Sequence, residues 1–177
     1  MMRFARRVFG TLTLDASIAE DIEADRESAL QALVVILVVA CAGGVAASGL
    51  ASITLPTFLA GAAAAVGGWL VWVLAITVIG TLAVPEPQTR SSVPELFRTL
   101  GFASAPGVFV AFAAMREVAP FVLSLVAAWM IAAAVMAIRQ ALDYRSTGRA
   151  IVVCVLAWLL TFGTLAAALN MRLVTVS

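Results

Sequence analysis

From Leu30 to Val84 no residue carries a charge. A water-soluble core cannot absorb so long an uncharged stretch, whereas a bilayer accepts apolar helices of about 20 residues because their backbone groups are satisfied internally. The same pattern recurs further along. The predicted spans are residues 30–53, 54–84, 99–115, 119–138 and 151–171, the first two separated by a turn around Pro56. The third is interrupted by Pro106-Gly107, which removes a backbone donor and adds flexibility, so a helix break is expected there. The fold class expected is all-α: a polytopic membrane protein of about five transmembrane helices with a short amphipathic N-terminal helix. Residues 1–28 form a cytoplasmic amphipathic and acidic segment, and residues 29–172 form the membrane domain.

With 63% of 177 residues hydrophobic and 12% charged, no length remains for a separate soluble domain. The N-terminal run Arg3, Arg6, Arg7 is followed by acids before any apolar stretch, so the first span reads as an uncleaved anchor.

Orientation follows from the arginines, the only basic residues present. Arg3, Arg6, Arg7 and Arg26 precede the first span, Arg90 and Arg98 follow the second, and Arg139, Arg145 and Arg149 follow the fourth. Arg116 and Arg172 fall on the opposite side. That bias puts the N-terminus in the cytoplasm. Re-entry of the broken third segment would weaken the bias, which favours five crossings over four.

Helix starts are marked by Ser17-x-x-Glu20 and by Ser92-x-x-Glu95 with Pro94. Val93, Leu96, Phe97 and Leu100 recur at helical spacing, which fits either an interfacial helix or a continuation of the third span. The N-terminal stretch sets Phe4, Val8, Phe9, Leu12 and Leu14 among Arg3, Arg6 and Arg7, a pattern suited to an anionic lipid surface. Asp15, Glu20, Asp21, Glu23, Asp25 and Glu27 then reverse the sign. Small residues four apart (Ala40, Gly44, Ser48; Ala60, Ala64, Gly68; Ala103, Gly107, Ala111) mark faces for close helix packing, within one chain or between copies.

Chemistry is sparse. The chain has no His, which removes imidazole base catalysis and His metal ligation. Cys41 and Cys154 are isolated in apolar runs. No charge lies deep in a span; Arg116-Glu117 sits at a boundary and Asn170 near the end of the fifth. An enzyme is therefore not expected, nor any cofactor, metal or nucleic acid partner. The richest polar region is the cytoplasmic set Glu23, Asp25, Arg98, Arg139, Gln140, Asp143, Tyr144, Thr147 and Arg149. Within it Arg139 and Asp143 have helical pairing distance, and Ser146 or Thr147 can cap the fifth helix. Arg149 in the first turn of that helix opposes its dipole and calls for an acid, for which Glu23, Asp25 and Asp143 are available. The acidic N-terminal helix is expected to meet arginines of the later cytoplasmic loops.

Leu14-Asp15-Ala16-Ser17, Ile22-Glu23-Ala24-Asp25-Arg26, the run Arg98 to Gly107 and the segment Arg139 to Ala150 resemble a bacterial member of the Yip-domain family, the Ypt-interacting-protein-like membrane proteins. The resemblance implies five spans, a cytoplasmic N-terminus and a multi-pass place in a bacterial inner membrane. Eukaryotic members bind small GTPases and shape bilayers in membrane traffic. The long polar N-terminal region of those relatives has no counterpart here, and the GTPase is not carried over. A non-catalytic membrane-organising or accessory role is the first expectation, with membrane lipids, further copies or a larger membrane complex as partners. A lipid or small apolar solute transporter, or scramblase, is the second.

Overall fold

The computed structural model describes residues 2–25, 27–50, 53–89 and 91–176, with side chains of 162 and 165–176 set apart. Among the described residues the regular structure is helical throughout. α1 (Met2–Leu12) and α2 (Ala16–Ala24) form a hairpin; α3 (Ser28–Ser48), α4 (Leu55–Val78), α5 (Val93–Ala103), α6 (Ala119–Ala141) and α7 (Thr147–Val176) form the bundle.

Three helical rods are long and apolar enough to cross a membrane: Ser28–Ser48, Leu55–Ala83 and Ala119–Ala141. A fourth crossing results if α5 and the segment after it count together. Within α7, Thr147–Thr161 is a shorter apolar helix. The outward faces carry Leu30, Leu37, Leu59, Leu74, Phe121, Leu125 and Leu159, all well exposed, as lipid contact requires.

The third segment breaks beside the proline. α5 ends at Ala103, and a 3₁₀ run follows over Ala105–Ala114 with a 46° bend. Pro106 has no N–H, and Gly107 N–H bonds back three residues to Ser104 O at 2.8 Å, which starts the tighter winding. The greater rise stretches these ten residues over about 20 Å. Leu96, Leu100 and Phe102 are fully buried, so this face of α5 packs into the bundle, while Val93 at its start stays exposed. Its start keeps the Ser92–Glu95 box, with Ser92 N–H donating to Glu95 Oε2 at 2.9 Å.

α2 is capped one residue before its start by Asp15, whose Oδ1 accepts from Ser17 N–H at 3.0 Å; Ser17 itself lies inside the helix. Leu14, at φ 59°, turns the chain between α1 and α2. The hairpin is nearly symmetric about this residue. Gly10 therefore faces Ile18, leaving no room for a Cβ, and Arg7 faces Asp21.

Two apolar clusters hold the molecule. The larger joins α4, α5, α6 and α7 through Trp72, Ile76, Leu96, Ala134, Ile138 and Val153. The smaller docks the hairpin: Ile18 and Ile22 pack with Ala32, Val35, Phe102 and Ala105, and Phe4, Val8 and Leu12 lie against them. Trp129 Nε1 donates to Leu12 O at 3.0 Å, tying the end of α1 to α6.

The small-residue faces divide. Gly43 and Gly44 of α3 meet Phe58, Gly61 and Ala65 of α4. Ala60 and Ala64 instead stay exposed, and Gly68 has open space beside it.

Candidate functional site

Starts of α3, α5 and α7 meet the ends of α4 and α6, because successive helices run in opposite directions. Arg7, Arg98, Arg139, Arg145 and Arg149 gather at this end, whereas Arg116 lies at the other, beside Gly49. Arg26 and Arg90 lie outside the described residues, as do the side chains of Asn170 and Arg172.

At the hairpin, Arg7 is 1% exposed and engages all three guanidinium nitrogens. Nε donates to Asp21 Oδ2 at 2.8 Å, Nη2 to Asp25 Oδ2 at 2.8 Å and to Asp21 O at 3.3 Å, and Nη1 to Gln31 Oε1 at 3.1 Å. Sequence reasoning gave Arg7 to lipid headgroups; the fold turns it inward. The Arg7 hydrogen bond, with the Glu27 N–H, holds the Asp25 carboxyl below the usual carboxylate range.

Glu23 is the bridge to the bundle. Arg98, 6% exposed on α5, donates from Nη2 to Glu23 O at 2.9 Å, while its Nε has no acceptor among the described residues. Gln140 of α6 donates to Glu23 Oε2 at 3.2 Å. Burial raises the Glu23 carboxyl despite that bond. The acidic helix thus touches a later arginine, Arg98, through its backbone.

The third knot joins the loops after α4 and α6. The last turn of the α4 rod widens to a π-turn over Ile79–Ala83, and Val84 N–H bonds to Ile79 O at 2.9 Å. The next carbonyl in that pattern, Gly80 O, would need an N–H from Pro85, which has none. Tyr144 fills the gap: its hydroxyl hydrogen is shared between Gly80 O at 2.7 Å and Val84 O at 2.8 Å. Burial raises the Tyr144 phenol, which keeps the donor in place.

Arg149 finds its acid in Glu86, not in Glu23, Asp25 or Asp143. Its Nε lies 3.7 Å from Glu86 Oε1, and its Nη1 donates to Pro85 O at 2.7 Å. Glu86 also accepts from Arg145 N–H at 3.1 Å, Ser146 N–H at 3.3 Å and Gln88 Nε2 at 2.5 Å. Burial opposes its charge, yet these donors hold it below the usual range. Gln88 Nε2 reaches on to Asp143 O at 3.1 Å. Thr147 opens α7, and Ser146 Oγ accepts from Arg149 N–H at 3.4 Å.

Arg139 and Asp143 do not form an ion pair. α6 ends at Ala141, and Asp143 stands at φ 53°, so helical spacing no longer applies between them. Both line a cavity of about 560 Å³ between α2 and α6, together with Ser17, Glu20, Gln140 and Tyr144. The structure thus brings Glu23, Arg98 and Gln140 into one contact and Tyr144 and Arg149 into another. It takes Asp25 away to Arg7. Asp21, Gln31, Glu86 and Gln88 are members that the sequence reading passed over. Asp21 and Asp25 are four apart opposite Arg7 across a hairpin, a legible signal; Glu86 between two prolines offered none.

A family model described as the Yip1 domain matches residues 9–168. The chain belongs to the Yip1-domain family. It is a multi-pass membrane protein of that family, and the matched region contains every polar-cluster residue from Glu23 to Arg149. Arg7 lies just before it. No curated protein and no solved structure matches the chain.

Two predictions arise here. Arg149→Ala should lower the melting temperature in detergent, by about 1 kcal/mol of stability, because Pro85 O then loses a charged donor. Arg145→Ala should do almost nothing, since only its backbone N–H is used. Equal melting temperatures would contradict the knot.

The second concerns pH. Asp25 and Glu86 have lowered folded pKa values, so their contributions are present above the ordinary carboxylate pKa and lost as pH falls through the lowered values. Glu23, with a raised value, acts oppositely: its contribution is full at low pH and lost as pH rises through the raised value. A melting series between about pH 6 and about pH 3 should fall on the acid side, and Asp25→Asn should flatten that fall. Glu23→Gln should remove the loss on the rising side.

Proposed function

We propose that this Yip1-domain protein is a non-catalytic membrane organiser that crosses the bilayer five times with the polar end in the cytoplasm. The carrying observation is the docked hairpin. At one end only, α1 and α2 add to the bundle cross-section, locked by Arg7 and by the smaller apolar cluster. A body wider in one leaflet than in the other bends the bilayer around it. α1 adds exposed Met2 and Phe9 beside exposed Arg3 and Arg6, a composition suited to an anionic leaflet surface. Arg7, Glu23, Arg98, Glu86 and Arg149 at this end make structural ties, in keeping with an organising role. A bacterial inner membrane is the proposed location, with lipids and further membrane proteins as partners.

Reconstitution into vesicles of mixed neutral and anionic lipid tests this. The account expects smaller or tubulated vesicles by electron cryomicroscopy, and a return to plain vesicles on deletion of residues 2–25. Unchanged vesicle shape and lipid mobility with the full chain would refute it.

The 46° bend beside a cavity supports a second reading, a lipid or apolar solute transporter. Reconstituted vesicles would then show accelerated flip-flop of a fluorescent lipid; a background rate would dismiss that role.

A further inference from the structure

At the polar end, a cavity of about 560 Å³ opens between α2 and the last turn of α6. Ser17 and Glu20 line it on one side, Met136, Arg139 and Gln140 on the other, and Asp143 follows in the loop. Glu20, Arg139 and Asp143 are all exposed, so a group entering the cavity reaches them. None of these three side chains makes an ion pair or a hydrogen bond among the described residues.

Other charges at this end behave differently. Arg7, Glu23, Glu86 and Arg149 are each committed to partners within the chain. Here a cation and two carboxylates border one space without meeting, and the fold leaves both signs open to an external group. A bare anion would answer Arg139 and be repelled by the two carboxylates. A bare cation would answer the carboxylates and leave Arg139 unpaired. A group that carries both charges answers both.

Depth narrows the class. α6 rises about 34 Å over its 23 residues, against a hydrocarbon layer of roughly 30 Å, so its last turn stands among the headgroups. Phosphodiesters of the leaflet lie at that level, and a guanidinium takes a phosphate through two N–H bonds. Met136, nearly a turn deeper than Arg139, carries the wall toward the acyl chains. The wall also selects the cation. A primary ammonium brings three N–H donors for Glu20 and Asp143. A quaternary ammonium brings none and is recognised by aromatic faces. Tyr144 is the one aromatic residue among those lining the cavity, and it is buried with its hydroxyl committed to Gly80 O and Val84 O. We propose that this cavity binds the phosphoethanolamine headgroup of a membrane lipid, with Arg139 on the phosphate and Glu20 and Asp143 on the ammonium. The assignment goes beyond membrane shaping, and its test does not involve vesicle form.

The full chain in detergent would be titrated with dihexanoyl phosphatidylethanolamine, phosphatidylcholine and phosphatidylglycerol, with bound lipid counted by native mass spectrometry. Saturable binding of the ethanolamine lipid is expected, about tenfold tighter than either of the others. Arg139→Gln should weaken that binding about tenfold. Glu20→Gln combined with Asp143→Asn should erase the preference over phosphatidylcholine and strengthen phosphatidylglycerol binding, because two repelling carboxylates are gone. None of these variants should lower the melting temperature, since the replaced groups tie nothing within the chain. Arg145→Gln, in the same loop but outside the cavity, should leave binding unchanged. Equal affinity for the three lipids, affinity unmoved by Arg139→Gln, or a preference that survives the double variant would overturn the assignment. So would binding of water-soluble glycerophosphoethanolamine as tight as that of the lipid, because the source would then lie outside the membrane.

Discussion

Arg7→Ala should release the N-terminal hairpin while leaving the bundle folded. Arg7 holds two carboxylates, one amide and one backbone carbonyl from a site almost closed to solvent. Removing one side of a buried ion pair costs about 3–5 kcal/mol. Asp21 and Asp25 keep side-chain exposures of 46% and 27%, so water can recover part of their solvation. The expected loss is therefore at the lower limit, about 3 kcal/mol. It should fall on the hairpin rather than on the spans. Hydrogen exchange should accelerate across residues 2–25 and stay slow in α3, α4 and α6. Arg7→Lys should rescue only in part, since a single ammonium cannot reproduce the fork. Arg3→Ala, removing an exposed cation outside the described ion pairs, should leave exchange unchanged. Unaltered protection of the hairpin in Arg7→Ala would mean that the apolar cluster alone retains it.

Gly44→Leu should loosen the α3–α4 contact more than any surface change on either helix. A Cβ at Gly44 would stand 2.7 Å from Phe58 O and 2.8 Å from the Phe58 ring. The carbonyl belongs to the backbone of α4 and cannot swing away, so the two helices must separate. Overpacking of this kind costs about 3 kcal/mol at its upper range. It also forfeits the close backbone approach on which helix association in lipid depends. Gly67→Leu is the control, because nothing lies within 4 Å of a Cβ at that position. Unfolding in graded denaturing detergent should separate the variants clearly, with Gly67→Leu close to the parent. Coincident curves would show that the α3–α4 approach is not what holds these helices.

Membrane helices were legible because charge exclusion is a strong constraint: Ser28–Ser48 and Ala119–Ala141 match their uncharged runs within a few residues. The break beside Pro106 was legible for a similarly local reason, the absence of an N–H. Side-chain pairing was harder to read. Arg139 and Asp143 have helical spacing in sequence, but the helix stops between them. Arg149 needed an acid, and its nearest one stands in the Pro85-Glu86-Pro87 turn, brought there by the packing of α4 against α7. Arg7 looked like a headgroup cation because amphipathic composition cannot distinguish a lipid surface from a second helix. The symmetry of the hairpin about Leu14, which sets Gly10 against Ile18 and Arg7 against Asp21, carries that distinction.

Single-cysteine labelling of the full chain in native membranes, with Cys41 and Cys154 replaced by Ala, tests the arrangement most directly. Ser17→Cys and Ser146→Cys should react only from the cytoplasmic face, and Thr54→Cys and Glu117→Cys only from the opposite face. Reaction of Ser17→Cys and Ser146→Cys from different faces would separate the hairpin from the α6–α7 loop and contradict the shared polar end.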